Sequence, residues 1–393
     1  MRRVARCVAG MLLDMALSWA TFAENPPRAR DLGVPFEGTP GPGNAITDVV
    51  GVEVGQTTLI SGDGKLVVGQ GPVRTGVTAI LPRGKSSNDD AVFAGWFSQN
   101  GNGEMTGTTW VEESGFLEGP LLITNTHSVG VVRDTIIQWQ VEHSRLFQRW
   151  SCPLVTETAD GWLNDINAFF VKPEHVLKAL NSAASGPILE GNIGGGTGML
   201  CYEFKGGTGT SSRKLSQKLG GWTVGVLAQT NFGRRYQLTI AGVPVGQHLK
   251  DHTIWPPGQD PFEQDNGSLI VILATDAPLL PHQLKRLAKR ASLGMARTGS
   301  LGGNGSGDIF LAFSTANPEA AMGNDYGIAS IQALSNNFID PLFVCAAYAT
   351  EEAIINSMIA AENMTGHKGM SANALPHDQL QDLMRRYQRL QEV

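Results

Sequence analysis

Gly267-Ser268 is the point in this chain where residue type and neighbours combine into a reactive arrangement. A polar stretch from Lys250 onward ends at Gly267, and Ser268 opens Leu269-Ile270-Val271-Ile272-Leu273-Ala274-Thr275, which reads as a fully buried strand. A serine at the head of such a strand is held rigidly at a sheet end. The carbonyl before it belongs to a residue with no side chain to shield it. The Ser268 hydroxyl therefore stands beside the Gly267 carbonyl, and an N-to-O acyl shift needs only a strained peptide and a few polarising groups. Hydrolysis of the ester would leave Ser268 with a free α-amine, a residue able to attack other amides. The competing reading is a turn glycine followed by a solvent-facing serine, the ordinary state of a lone Gly-Ser pair.

Such a serine needs rigid elements around it. Alternating or buried apolar runs predict strands over 45–54, 57–60, 76–81, 121–123, 153–158, 199–204, 222–229, 238–242 and 309–315. The strand at 222–229 delivers Thr230-Asn231-Phe232-Gly233 to its end, and Ser306-Gly307-Asp308 leads into the strand at 309–315. Glu157 is the one acid in its strand, and a solvent-facing carboxylate is its simpler reading. Helices are predicted over 134–142, over 173–184 with Pro173 first and Gly186 beyond the end, from Pro281, over 344–364 and over 376–390. Pro256, Pro257 and Pro261 make 250–266 an exposed loop, which a processing site requires.

Composition sets the outer limits. The 393 residues, 41% hydrophobic and 17% charged, describe a globular chain with a sizeable core, and 48 glycines predict many tight turns. A formal charge of −6 without a Lys/Arg block argues against a nucleic-acid partner. Beyond the amino-terminal region, no stretch reaches the ~18 uncharged apolar residues of a membrane span. Cys152, Cys201 and Cys345 have no C-x-x-C spacing and read as free thiols. Residues 1–23 carry a basic start, an apolar middle and Thr21-Phe22-Ala23 as a cleavage site, as a secretory signal does, but Asp14 interrupts the apolar region. A periplasmic or secreted protein with a removed leader and a cytoplasmic one with a non-functional leader both stay open.

Three glycine- or acid-rich stretches invite other chemistry. Arg83-Gly84-Lys85-Ser86 lacks the glycine that a phosphate loop places five residues earlier, where Ala79 stands. Glu104, Glu112 and Glu113 have no histidine at metal-ligand spacing and read as solvated surface. The run 190–198, the most glycine-dense in the chain, precedes a strand and not the helix that a dinucleotide fingerprint needs. It reads as a substrate-contacting loop or a structural turn.

The stretches 28–41 and 44–49, Glu190 to Gly198, Ala274-Thr275-Asp276-Ala277-Pro278-Leu279 and Pro376-His377-Asp378-Gln379-Leu380 closely resemble the family of the L-aminopeptidase D-Ala-esterase/amidase and the bacterial β-peptidyl aminopeptidases. The resemblance runs from about Arg28 to the C-terminal helix. It implies a four-layer αββα sandwich, an α/β (α+β) fold similar to N-terminal-nucleophile hydrolases with altered strand connectivity. It implies a single catalytic domain over 24–393 that cleaves itself at Gly267-Ser268 into an α chain 24–267 and a β chain 268–393. Carried over by position, the nucleophile falls on Ser268, the second serine and following acid on Ser306 and Asp308, the oxyanion donor on Asn231, and the carboxylate that pairs with a substrate's free amino group on Glu157. In that scheme Ser306 relays or orients the Ser268 proton and Asp308 stabilises the network. The resemblance further implies short peptide, amide or ester substrates with a free amino terminus, no metal or organic cofactor, and a homo-oligomer of αβ units, a tetramer.

Two departures bear on substrate preference. Ala159 lies where a relative has a tyrosine near the site, and Gln56 replaces a histidine expected after Val-Gly. A nylon-oligomer hydrolase or an ornithine acetyltransferase would use a threonine nucleophile, and Ser268 points away from both. A catalytically silent binding relative remains the alternative from another class.

Overall fold

The structure is a computed structural model, and it describes residues 26–87, 89–250, 254 and 267–392, with the side chain of Lys368 excepted. The candidate leader over 1–23, and the loop predicted over 250–266 apart from Lys250 and Ile254, lie outside the described residues.

In chain order the strands are β1 (Glu53–Ser61), β2 (Val73–Leu81), β3 (Val92–Ser98), β4 (Phe116–Leu117), β5 (Leu121–Asn125), β6 (Leu154–Thr158), β7 (Leu200–Cys201), β8 (Phe204–Lys205), β9 (Gly207–Lys214), β10 (Thr223–Asn231), β11 (Ser268–Thr275) and β12 (Ile309–Ser314), with a short pair β13 (Met364–Thr365) and β14 (Ser371–Ala372). The helices are α1 (Thr108–Ser114), α2 (Val129–Glu142), α3 (Pro173–Ser182), α4 (Val245–His248), α5 (Pro281–Ala288), α6 (Ala291–Arg297), α7 (Asp340–Ile359) and α8 (His377–Arg386). One sheet has the order β1-β2-β5-β6 and the other β4-β3-β12-β11-β10-β9.

Strand periodicity explains why these two sheets stack. Along β11, Ile270, Ile272 and Ala274 face the inner core with Leu227, Leu311 and Phe313, and meet Ile80, Leu121, Ile123 and Leu154 of the other sheet. Leu269, Val271 and Leu273 point the opposite way, into a core with α5, α7 and α8. Behind the smaller sheet, Val77, Ala79, Leu122 and Val155 pack on Val132, Ile136 and Trp139 of α2 and on Val176, Ala179 and Leu180 of α3. The result is helix, sheet, sheet, helix: the expected αββα sandwich. Burying both faces requires apolar residues at odd and even positions alike, which is why β11 shows no alternation. Each such side chain contributes about 1.5–3 kcal/mol.

Several expectations need correction. Residues 45–54 begin as a 3-10 turn at Ile46–Asp48, and the first strand starts only at Glu53. The stretch 238–242 is no strand: it follows a 3-10 turn at Arg235–Gln237 and keeps one isolated pairing, Ile240 with Val243, because its apolar side chains fill a loop packed on the core. The stretch 199–204 is a two-residue hairpin whose turn residues Tyr202 and Glu203 adopt positive φ. Helix α7 starts four residues earlier than predicted, with Asp340 in its first turn and a proline at its start, and ends at Ile359, after which Met364–Thr365 is extended. Within 100–119 lies an unpredicted short helix, α1, while Glu104, Glu112 and Glu113 are exposed as expected. The run 190–198 has a structural role: a methyl at Gly194, Gly195 or Gly196 would sit 2.2–2.3 Å from Thr78 Oγ1, Gln229 Oε1 or Thr208 N, so these glycines let backbone wedge between the sheets.

Candidate active site

Strand register places Ser268, Asn231, Ser306 and Asp308 at one end of the larger sheet. Ser268, first in β11, is the antiparallel partner of Asn231, last in β10. Strand β12 runs parallel to β11 with Ile309 opposite Ile270, so Ser306, Gly307 and Asp308 enter at that same end. Strand β3 leaves there, with Ser98 opposite Ile309, and the ladder continues one step as Gln99 N–H donates to the Asp308 carbonyl at 2.9 Å.

The peptide bond before Ser268 is held for polarisation. Ser268 is 5% exposed, which removes the solvent-facing reading. Its hydroxyl donates to the Gly267 carbonyl oxygen at 2.8 Å. Gly307 N–H donates to the same oxygen at 3.1 Å. Both contacts draw electron density from the carbonyl carbon beside the hydroxyl oxygen. Glycine is required at 267 by close approach: a methyl there would lie 2.1 Å from the Asn231 carbonyl oxygen and 2.5 Å from Phe232 Cα.

Ser306 and Asp308 form the second cluster, and both are fully buried. The Ser306 hydroxyl donates to Asp308 Oδ1 at 2.8 Å, which leaves the Ser306 lone pairs free to accept. Asp308 Oδ2 accepts from Asn100 Nδ2 at 2.8 Å, and Asp308 N–H donates to Asn100 Oδ1 at 2.5 Å. Asn100 thus orients the acid from its backbone and its side chain at once. No feature of Asn100-Gly101-Asn102-Gly103 other than turn chemistry marked it in the sequence.

Asn231 and Glu157 complete the arrangement. Asn231 Nδ2 donates to the Ala159 carbonyl at 3.0 Å, and Asn231 Oδ1 accepts from Leu200 N–H at 2.9 Å. One amide hydrogen is thereby used and a second remains for an incoming oxygen. Glu157, on β6 of the other sheet, is 3% exposed, so the solvent-facing reading fails here too. Its Oε1 accepts from Glu104 N–H at 2.9 Å, and its Oε2 from the Thr126 hydroxyl. Burial pushes its pKa above the ordinary carboxylate value, against the pull of those two bonds.

One crossing segment joins the two halves. After β3 the chain passes from Asn100 to Met105, which bridges Thr156 of β6. A methyl on Gly103 would sit 3.2 Å from both Glu157 Oε1 and Gly307 Cα, so this glycine lets the carboxylate and the 306–308 turn approach across it. Gly103, Thr126 and the Gly307 N–H are further groups that sequence reasoning missed, because main-chain donors and close approaches leave no residue-type signature. Of the two departures, Ala159 contributes the carbonyl that holds Asn231, and Gln56 Nε2 donates to the Leu189 carbonyl at 3.1 Å.

Comparison with known proteins identifies the family of the chain. A family model described as Peptidase family S58 matches residues 44–372. A beta-peptidyl aminopeptidase of Sphingosinicella microcystinivorans is 53% identical over 393 aligned residues, 98% of this chain and 97% of that protein. Another, from Sphingosinicella xenopeptidilytica, is 48% identical and covers 93% of each. Among solved structures, the L-aminopeptidase D-Ala-esterase/amidase of Ochrobactrum anthropi, described as a prototype for the serine aminopeptidases and a new variant among the Ntn hydrolase fold, superposes with TM-score 0.86 at 49% identity over 93% of this chain and 99% of that one. A Burkholderia sp. beta-aminopeptidase superposes with TM-score 0.83 at 46% identity, covering 92% of this chain and 99% of that one.

Proposed function

The chain belongs to peptidase family S58 and is an aminopeptidase of that family, and from this premise we propose that it is a self-processing serine aminopeptidase. The observation that carries the proposal is the Gly267 carbonyl, which meets the Ser268 hydroxyl at 2.8 Å and the Gly307 N–H at 3.1 Å. Ser268 Oγ attacks the Gly267 carbonyl carbon, and the negative oxygen that develops receives the Gly307 N–H. The Gly267–Ser268 C–N bond then breaks and its nitrogen takes up a proton to become the Ser268 α-amine. Water hydrolyses the ester, giving an α chain that ends at Gly267 and a β chain that begins at Ser268, from a single catalytic domain over 24–393.

Turnover repeats the attack on a substrate. Ser268 adds to the carbonyl of the amino-terminal residue, and its proton passes through the new α-amine or the Ser306 hydroxyl, which Asp308 holds in place. The free Asn231 amide hydrogen stabilises the oxyanion. Glu157 pairs with the substrate's ammonium group, which confines cleavage to the first residue of short peptides, amides or esters. The substrate's amide or ester bond then breaks, the leaving amine or alcohol takes up the proton that Ser268 gave up, and water hydrolyses the acyl-enzyme to restore the Ser268 hydroxyl. A tetramer of αβ units, and a secreted or periplasmic location if 1–23 acts as a leader, complete the proposal; a cytoplasmic location applies if it does not.

A substrate panel tests this reading. The protein is expected to release p-nitroaniline from at least one of the L-Ala, D-Ala and β-homo-amino acid p-nitroanilides and not from its N-acetylated form, with Ser268→Ala inactive on all. Hydrolysis of the acetylated compounds at equal rates would remove Glu157 as an amine anchor.

A further inference from the structure

Asn231 is clamped by backbone on two sides, and one carboxyl group stands behind both clamps. The Ala159 carbonyl that accepts from Asn231 Nδ2 at 3.0 Å is followed directly by Asp160. The Leu200 N–H that donates to Asn231 Oδ1 at 2.9 Å lies two residues after Gly198, and a methyl on Gly198 would sit 2.9 Å from Asp160 Cβ. Asp160 is completely buried. Its carbonyl accepts from the N–H groups of Leu163 and Asn164 at 3.1 and 3.0 Å, and its Oδ1 accepts from Asn164 Nδ2 at 3.0 Å. Asn164 Oδ1 in turn accepts Arg74 N–H at 2.9 Å, which ties the turn to β2.

The carboxyl group also meets Thr75 and Asn125, and Asn125 Nδ2 donates to Thr75 Oγ1 at 2.8 Å. In this cluster Asp160 Oδ2 and Asn125 Oδ1 are buried acceptors without a hydrogen-bond partner. Burial raises the Asp160 pKa to about 7, against the pull of the side-chain bonds from Thr75, Asn164 and Asn125.

We propose that Asp160 is a positioning residue for the reaction: it fixes the Ala159 carbonyl and the Gly198–Leu200 segment that together aim the Asn231 amide at the developing oxyanion. Its buried carboxyl group performs this role by accepting from Asn164 Nδ2, which ties the turn after Ala159 to β2. Asp160 touches no reacting atom, and its role rests on the reading of Asn231 as the oxyanion donor.

The test is a double-mutant cycle on the cut enzyme, with kcat given per mole of cleaved chain. Asp160→Ala should lower kcat about ten- to hundredfold with KM changed less than about threefold. Asp160→Asn keeps a donor and an acceptor in the same shape and should stay within about threefold of the parent. In an Asn231→Ala background, Asp160→Ala should cost less than about twofold more, since the group it positions is gone. A merely structural role would instead add its full cost in both backgrounds, and that result overturns the proposal, as does an Asp160→Asn as impaired as Asp160→Ala. Should Asp160→Ala fail to cut while Asn231→Ala cuts normally, Asp160 acts on something other than Asn231 and the proposal falls. Full activity in Asn231→Ala alone would overturn the oxyanion assignment itself and this inference with it.

Discussion

As the proposed anchor for the substrate's amino group, Glu157 would set a measurable pH dependence. A carboxylate can pair with a substrate ammonium only when ionised, and burial raises the Glu157 pKa above the ordinary carboxylate value. The sign follows: kcat/KM is full above that raised pKa and is lost as pH falls through it, at a higher pH than an exposed glutamate would give. Glu157→Gln should remove this acid limb. It should also raise KM and lower kcat/KM about ten- to hundredfold, the worth of a charge-assisted hydrogen bond of about 1.5–3 kcal/mol. Identical pH profiles for variant and parent would place the amine elsewhere. Asn100 belongs to the same scale: it holds Asp308 through both its amide nitrogen and its oxygen, so its removal frees the acid that the Ser306 hydroxyl depends on.

The decisive element is the β10–β11–β12 unit, because its register turns three separated stretches of sequence into one site. Its tightest point is Gly267, where any side chain would strike the Asn231 carbonyl oxygen at 2.1 Å. Gly267→Ala should therefore shift the scissile carbonyl away from Gly307 N–H and slow self-cleavage about a hundredfold, the cost of a displacement of about 1 Å at a reacting centre. A time course on a denaturing gel checks this, and cleavage at the parent rate would contradict the fit. Much of this element was legible in the sequence. The unbroken apolar run 269–274 announced a strand buried on both faces, and Pro173 and Pro281 marked helix starts that the structure keeps. The stretch 238–242 has the composition of a strand but no partner edge, a tertiary fact that local pattern does not carry. The site residues Ser268, Ser306, Asp308, Asn231 and Glu157 came from family resemblance at their positions. Asn100, Thr126 and the Gly307 N–H stayed hidden, since their significance lies in which strand ends become neighbours.

Across the whole molecule, the proposed cut falls in the middle of a sheet. Strands β11 and β12 would belong to the β chain, yet they lie between β10 and β3 of the α chain. Helix α7 is apolar enough by length and composition to cross a membrane, but 89% of that window is buried, and it packs as a core helix on β9 and β10. It carries Glu352, which meets Arg213 at 2.7 Å and Arg30 at 2.8 Å, both in the α chain. Burial alone would raise the Glu352 pKa, but the bond to Arg30 and the charges of Arg213 and Arg30 outweigh it and hold the pKa below the usual carboxylate range. This contribution to stability is therefore present above the unfolded-state pKa and is lost as pH falls through the lower folded value. Glu352→Ala leaves two cations uncompensated at the chain junction and should cost about 3–5 kcal/mol, read from denaturant unfolding; a loss under about 1 kcal/mol would show that the sheet alone joins the pieces. The central claim is that the Gly267–Ser268 bond is broken by its own serine. Intact-mass analysis of the purified protein with amino-terminal sequencing of the smaller species tests it most directly. The account predicts two chains that separate only under denaturing conditions, the smaller beginning Ser-Leu-Ile-Val, and one uncut chain for Ser268→Ala. An uncut wild-type chain that still hydrolyses aminoacyl p-nitroanilides would contradict it.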